Sequence, residues 1–317
     1  MKSGPCIAIL IPCLNEAPTI ESVITGFGTH LPEAQIVVGD NNSEDDTAAI
    51  ARRAGARLVR EQRRGKGNIM RRLFADIDAD FYVMVDGDGT YDPAAAPRMV
   101  RLMQEEGYDL VNVARKPTGY DSFRSDRRFG NWLLTSLVGS IFRTDTADML
   151  SGYKGFSRRF VKTFPALSRG FEIETEIMIH AAELRLPFHE IEAPYGKRPA
   201  HSTSKLRTFQ DGFRILRLVD HFIRQEHPFG FFSTLSVLLI AASLWLGVPV
   251  VIYFFETGFV PRFPTAILAA SLALCSVVSF FTGIILDAIT QARREFKRLS
   301  YLSLPQRVKT DSLAPLG

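Results

Sequence analysis

Four short polar clusters hold most of the residues in this sequence whose types and spacing can do chemistry. Asp86-Gly87-Asp88 is the densest. Two carboxylates two residues apart, with no side chain between them, can converge on one hard cation and leave positions open for phosphate oxygens. A divalent ion held there would neutralise a diphosphate leaving group and act as a Lewis acid. Asp40 opens Asp40-Asn41-Asn42-Ser43 and can accept hydrogen bonds from a base or a ribose. With Ser43 and Asp45 the same stretch also fits a turn and N-cap for a following helix, and the two roles are compatible. Arg63-Arg64-Gly65-Lys66-Gly67 is a flexible basic loop at a helix start, suited to phosphate through backbone N–H groups and cationic side chains. It lacks the GxxxxGK[ST] spacing of a Walker loop. Asn15 with Glu16, and Arg115, complete the set.

These clusters need a scaffold that brings them together. Short apolar runs at 6–11, 35–39, 57–59, 80–85 and 109–114 read as strands, and 18–27, 45–54, 67–77 and 93–106 as helices. Continuous apolar strands separated by helices predict a parallel α/β sheet covered on both faces. Ligands bind such sheets at the carboxyl ends of the strands. Asn15 and Glu16 follow the first strand, Asp40 the second, Asp86 and Asp88 the fourth, and Arg115 the fifth, all at that edge. Pro12-Cys13-Leu14-Asn15-Glu16 stands where a dinucleotide-binding fold needs GxGxxG, which argues against a dehydrogenase. Glu172, Glu174 and Glu176 alternate ahead of an apolar helix at 177–184. They read equally as an acceptor- or sugar-facing wall and as carboxylates at a helix start. His180, Met70, Met99 and Met103 read as packing residues.

The chain has 317 residues, 38 Lys+Arg against 34 Asp+Glu, and 46% apolar residues. That composition excludes a disordered chain, and a net charge of +4 without interleaved aromatics excludes a nucleic-acid binder. The three cysteines form no CxxC pair, which fits a reducing compartment. Residues 229–255 and 263–286 carry no charge, and each run exceeds the ~20 residues a membrane-crossing helix needs. Arg207, Arg214, Arg217 and Arg224 precede the pair and Arg293, Arg294, Lys297 and Arg298 follow it, against Arg262 alone in the connecting loop. The positive-inside rule therefore places both flanks in the cytoplasm. Phe209, Phe213, Leu216 and Ile223 recur at helical steps, so 204–226 reads as an amphipathic helix at the membrane surface.

Ile11-Pro12-Cys13-Leu14-Asn15-Glu16, then Val38-Gly39-Asp40-Asn41-Asn42-Ser43-Glu44-Asp45-Asp46-Thr47, then Asp86-Gly87-Asp88, resemble the family 2 glycosyltransferases of the GT-A fold. Asp148-Met149-Leu150-Ser151-Gly152-Tyr153-Lys154 and Ser204-Lys205-Leu206, followed by a membrane hairpin, resemble the dolichol-phosphate-mannose-synthase branch, which includes bacterial polyprenyl-phosphate glycosyltransferases. The resemblance implies a GT-A catalytic domain over 1–203, a juxtamembrane helix over 204–228, two membrane helices within 229–289 (about 229–255 and 263–287) and a basic cytoplasmic tail over 290–317. It implies that Pro12, Leu14, Glu16 and Asp40 line the base and ribose pocket, and that Asp86 and Asp88 hold Mg²⁺ or Mn²⁺ against the diphosphate. Asp148 would lie near the reacting centre, and Arg115, Arg127 and Arg128 would hold an acceptor phosphate. Arg198, Ser204 and Lys205 would belong to a loop closing over the diphosphate, while Lys66 of the basic loop is expected to add positive charge against the phosphates.

The expected reaction is inverting transfer of a sugar from a UDP- or GDP-linked donor to a polyprenyl phosphate at the cytoplasmic face of a bacterial inner membrane. The expected partners are the donor, the lipid phosphate and the bilayer, with no nucleic acid and room for a homo-oligomer. The competing readings are a membrane-anchored nucleotide-sugar-binding regulatory subunit and a transferase with another lipid acceptor. Asn41 stands in place of the second aspartate of the usual Asp-Asp pair, and Thr90 where some relatives carry a metal-binding Gln.

Overall fold

The structure is a computed structural model describing residues 4–117, 146–196, 228–260 and 262–306. The chain divides into two compact units, Met1–Thr208 with Lys297–Gly317, and Phe209–Phe296.

The first unit is built on a seven-stranded sheet. Its elements run β1 (Ile7–Cys13), α1 (Ile20–His30), β2 (Gln35–Asp40), α2 (Thr47–Arg53), β3 (Arg57–Arg60), α3 (Lys66–Asp76) and β4 (Phe81–Met84). After a 3-10 turn (Pro93–Ala95) come α4 (Ala96–Glu105), β5 (Leu110–Pro117), β6 (Lys154–Ser157), α5 (Arg158–Thr163), α6 (Ile173–Leu184) and β7 (Phe188–Tyr195). The strand order is β3-β2-β1-β4-β6-β5-β7. Every residue of β1 is buried, as befits a central strand with no polar position. Ile7, Ile9 and Ile11 share a cluster with Phe27 of α1, Ala51 of α2 and Met99 and Met103 of α4. The opposite face of the sheet is aromatic, with Phe74 of α3 set edge-on against Tyr82, Phe156 and Phe164. Burial and the charge of Lys297 push the pKa of His180 down to about 3, so it is a neutral packing residue, edge-on to Phe160.

The five strands and four helices read from the sequence are all present, with two departures. The sheet is not wholly parallel, because β6 runs antiparallel to both β4 and β5. The segment 93–106 begins as a 3-10 turn, where Asp92 accepts the Ala94 N–H at 2.9 Å and Pro93 and Pro97 supply no N–H.

The first unit also holds the chain's C-terminal segment. Tyr301 Oη donates to Asp109 at 2.6 Å, Arg159 forks onto the same carboxylate at 2.6 and 2.7 Å, and Gln306 donates to the Gly107 carbonyl at 2.5 Å. Asp109 is fully buried, and Ser157 adds another hydrogen bond at 2.5 Å. Removing this carboxylate leaves a largely buried guanidinium and two hydroxyls without their acceptor. Asp109→Ala is therefore expected to destabilise the unit by about 3–5 kcal/mol, read as a lower denaturation midpoint of the purified protein.

The second unit is a helical hairpin, α7 (Pro228–Thr257) and α8 (Phe263–Leu302), the end of α8 belonging to the first unit. The helices meet through small residues. Ser236 and Ser276 hydroxyls lie 2.9 Å apart, Ser243 donates to the Ala269 carbonyl at 2.7 Å, and Ser279 to the Phe232 carbonyl at 3.0 Å. Only 11% and 22% of the two apolar stretches are buried, and Trp245 and Phe255 point outward. Core helices of a soluble protein would be covered; these two long apolar helices suggest membrane anchoring.

Candidate active site

The carboxyl ends of β1, β2, β4 and β5 meet at one edge of the sheet. Beyond β1, Asn15 takes a left-handed conformation (φ 53°) and locks onto the loop after β2. Its amide donates to Ser43 Oγ at 3.0 Å and its side chain accepts the Glu44 N–H at 2.8 Å. The amide of buried Glu16 donates to Thr47 Oγ1 at 2.8 Å. Asp40 ends β2 buried and accepts the Ser43 N–H at 3.1 Å, so the turn-forming role is realised while one carboxylate oxygen stays clear of that bond. Pro12, in register with Gly39, is buried and Leu14 half-buried beside them.

Asn41 shows why an amide replaces the usual second carboxylate. It donates to the carbonyls of Glu61 (3.2 Å) and Arg63 (2.7 Å) and accepts the Gly65 N–H (2.6 Å), a pattern an ionised Asp cannot supply. The basic loop is thus pinned at its backbone. Gly67 N–H is committed to the Gly170 carbonyl and Asn68 N–H to those of Gly65 and Arg169, so the expected cradle of backbone amides is already engaged. The side chains of Arg64 and Lys66 pair with carboxylates, Arg64 with Glu44 and Lys66 with Asp86 and Glu174. The loop's glycines serve packing: a Cβ on Gly67 would stand 2.2 Å from the Ser168 oxygen.

The centre of the edge is an acidic cluster around one lysine. Lys66 Nζ, buried, lies 2.5 Å from Asp86 Oδ1 and 2.5 Å from Glu174 Oε1. Burial pulls its pKa down, but the two carboxylates outweigh that and raise it well above the ordinary lysine value. Burial and the charges of Glu174 and Asp88 push Asp86 up to about 6 despite Lys66. Asp88 is buried and accepts the Thr90 hydroxyl at 2.6 Å and the Thr90 N–H at 3.2 Å, so Thr90 braces the carboxylate. The surplus negative charge and the hard oxygen donors of Asp86 and Asp88 suit a divalent cation such as Mg²⁺ or Mn²⁺.

Opposite this cluster, Arg115 at the end of β5 forks onto Asp148, Nε to Oδ2 at 2.6 Å and Nη2 to Oδ1 at 2.7 Å. Burial would raise Asp148, but the guanidinium holds it below the usual carboxylate range. Asp148 therefore stands as an anion with both oxygens bonded to Arg115. Tyr91 is linked to both groups: its hydroxyl accepts the Gly152 N–H at 2.8 Å, and its ring packs on Tyr195, over which the Arg115 guanidinium lies. Gly152 itself is pressed against Asp86, where a Cβ would stand 2.2 Å from Oδ2.

The structure therefore gathers Glu16, Asp40, Lys66, Asp86, Asp88, Arg115 and Asp148 at one sheet edge. Arg127, Arg128, Arg198, Ser204, Lys205 and the helix expected at 204–228 lie outside the described residues. Of the three alternating glutamates only Glu174 turns to the site. Glu176 accepts the amides of Leu167 and Ser168, each at 2.8 Å, and Glu172 that of Gly170 at 3.1 Å. Tyr91 went unread in the sequence, although its place three residues after Asp88 was the available signal.

Residues 8–164 match the family described as glycosyl transferase family 2. Glycosyltransferase AglJ of Haloferax volcanii is 30% identical over 95% of this chain and 100% of its own. A dolichyl-phosphate hexose transferase of the same organism is 25% identical over 66% of this chain and 90% of its own. Among solved structures, glucosyl-3-phosphoglycerate synthase from Mycobacterium tuberculosis in complex with Mn²⁺, UDP-glucose and glycerol 3-phosphate has a TM-score of 0.56. It is 25% identical over 70% of this chain and 80% of that one. In keeping with the sheet topology and the Asp86-Gly87-Asp88 edge, the chain belongs to glycosyl transferase family 2: it is a GT-A-fold glycosyltransferase.

Proposed function

We propose that the protein moves a hexose from a nucleoside-diphosphate donor to a polyprenyl phosphate at the cytoplasmic face of a bacterial inner membrane. The observation that carries this is the gathering, at one sheet edge, of the Asp86 and Asp88 carboxylates and the Arg115–Asp148 ion pair. In this reading Asp40, Glu16, Pro12 and Leu14 receive the base and ribose, and Asp86 and Asp88 hold the cation. Lys66 lies on the donor-diphosphate side, and Arg115, oriented by Asp148, brings its positive charge to the acceptor phosphate. Residues 1–203, together with the segment from Lys297 onward, form the catalytic unit, and 229–289 the spans.

An acceptor phosphate oxygen, already anionic near neutral pH, attacks the anomeric carbon as the bond to the diphosphate breaks and its electron pair leaves with the diphosphate. Direct displacement inverts the anomeric centre. No base is needed, and Asp148, with both oxygens accepting from Arg115, serves to orient that guanidinium. The chain's task is to hold two anions in line and offset their repulsion. Asp86 and Asp88 would hold a divalent cation, whose positive charge would offset that of the leaving group. A long isoprenoid leaves the bilayer only at high cost, so an apolar hairpin on the enzyme suits a lipid carrier. The donor class is supported by the UDP-glucose complex of the structural neighbour and the acceptor class by the name of the dolichyl-phosphate relative.

The test is lipid dependence of diphosphate release. Purified protein with Mn²⁺ and a panel of UDP- and GDP-sugars is expected to release nucleoside diphosphate only when undecaprenyl phosphate is added, and EDTA is expected to abolish release until metal is restored. Binding of a nucleotide-sugar without lipid-stimulated release would favour a regulatory subunit instead.

A further inference from the structure

A lysine buried in the middle of a β-sheet without a carboxylate in contact is costly, because removing an ammonium from water carries a penalty of several kcal/mol. Among the described residues, Lys154 on β6 is such a residue. It sits in register with Met84 of β4 and Asn112 of β5, and both it and Asn112 are fully buried. Its hydrogen bonds go to Asn112 Oδ1 at 2.5 Å and to the Met149 carbonyl at 3.2 Å. The charged groups that act on it are Glu174, Asp148, Glu190 and Arg115, and burial nonetheless lowers its pKa to about 8. Packing alone would be served by methionine, which fills similar volume without a charge.

The contacts beyond Lys154 show what the charge holds. Asn112 passes its amide to the Asp148 carbonyl at 2.9 Å and to Glu190 Oε2 at 2.7 Å. Glu190, on β7, accepts the Thr146 hydroxyl at 2.6 Å and the Ala147 N–H at 2.7 Å. Each of these bonds, with the one to the Met149 carbonyl, ends on the turn that carries Asp148 or on a residue gripping it. Three adjacent strands thus clamp residues 146–149 from beneath, and Asp148 in turn fixes the Arg115 guanidinium by two bonds.

We propose that Lys154 is a positioning residue of the transfer reaction: acting through Asn112 and the Met149 carbonyl, it fixes the Asp148 turn and so aims Arg115 at the anionic acceptor. The role rests on the acceptor-side assignment of Arg115 made above. It predicts a selective defect, because the side-chain bonds of the clamp end on residues 146–149 and on Glu190, and those named above do not end on Asp40, Asp86 or Asp88.

The experiment is steady-state transfer by the full-length protein with donor and lipid phosphate varied separately. Lys154→Met is expected to lower kcat/KM for the lipid phosphate about ten- to a hundredfold, the scale of an ångström-level misplacement, with donor KM and nucleotide affinity within about twofold. Lys154→Arg, which keeps the charge and can reach both oxygens, is expected to recover most of the loss. Should Lys154→Met fail to fold, Asn112→Ser, which cuts the link while leaving the lysine, must show the same acceptor-selective loss. Equal losses for donor and acceptor, no loss in a folded variant, or no recovery with arginine would overturn the positioning role. A wild-type enzyme inert toward every lipid phosphate would instead overturn the acceptor assignment itself.

Discussion

Asp88→Asn is expected to fold as the wild type does and to transfer sugar about a thousandfold more slowly or worse. The amide retains an oxygen for the Thr90 hydroxyl and N–H, which are 2.6 and 3.2 Å from the carboxylate, so the loop after β4 keeps its bracing. What disappears is one of two negative charges facing the cation and the diphosphate. Leaving-group charge would then develop against an incompletely bound metal. The measurement is the single-turnover rate with saturating donor and Mn²⁺, alongside a melting curve. Full activity in a folded Asp88→Asn protein would remove the acidic pair from the chemistry and with it the proposed mechanism.

Asp148→Ala is expected to damage both stability and rate. Arg115 is mostly buried, its side chain 14% exposed, and donates twice to this carboxylate. Taking one partner of a buried ion pair leaves the other uncompensated, at a cost of about 3–5 kcal/mol. Arg115 would relax toward another carboxylate or toward water, and the acceptor would lose its oriented guanidinium. The denaturation midpoint is expected to fall, and transfer to drop at least about a hundredfold. Asp148→Asn separates the two effects: it retains the shape and one acceptor oxygen while removing the charge, so its stability loss is smaller and its rate loss persists. A wild-type rate for both variants would show that the pair only braces the fold.

The parts of this molecule that were legible in its sequence are those where one physical demand dominates. β1, β2 and β4 are central strands with apolar residues on both faces, and continuous runs such as Ile7 to Ile11 admit no other reading. The two C-terminal helices are legible for the same reason, their lack of charge leaving only a bilayer or a covered core. β6 was missed because it is four residues long and begins with a lysine, whose burial depends on Asn112 forty-two residues away. β7 was missed because it is an edge strand in which only Ile191 and Ala193 are buried.

In the site, residue types pointed to Asp86, Asp88 and Asp40, since paired carboxylates at strand ends have few purely structural uses. Local pattern could not separate Glu174 from Glu172 and Glu176. Only the fold decides that one faces Lys66 while the others cap loop amides. The engaged amides of the basic loop were equally hidden, because their partners at Arg169 and Gly170 are about a hundred residues distant.

The central claim is that an acidic pair and an arginine clamp at one sheet edge join an activated sugar to a lipid phosphate. Its most direct test is the mass of the product. Purified protein incubated with undecaprenyl phosphate, Mn²⁺ and a panel of UDP- and GDP-hexoses is expected to yield a lipid heavier by one hexosyl residue, formed with one donor and absent with Asp88→Asn. An unchanged lipid across the whole panel, with a donor sugar appearing instead on a soluble phosphate acceptor, would contradict it.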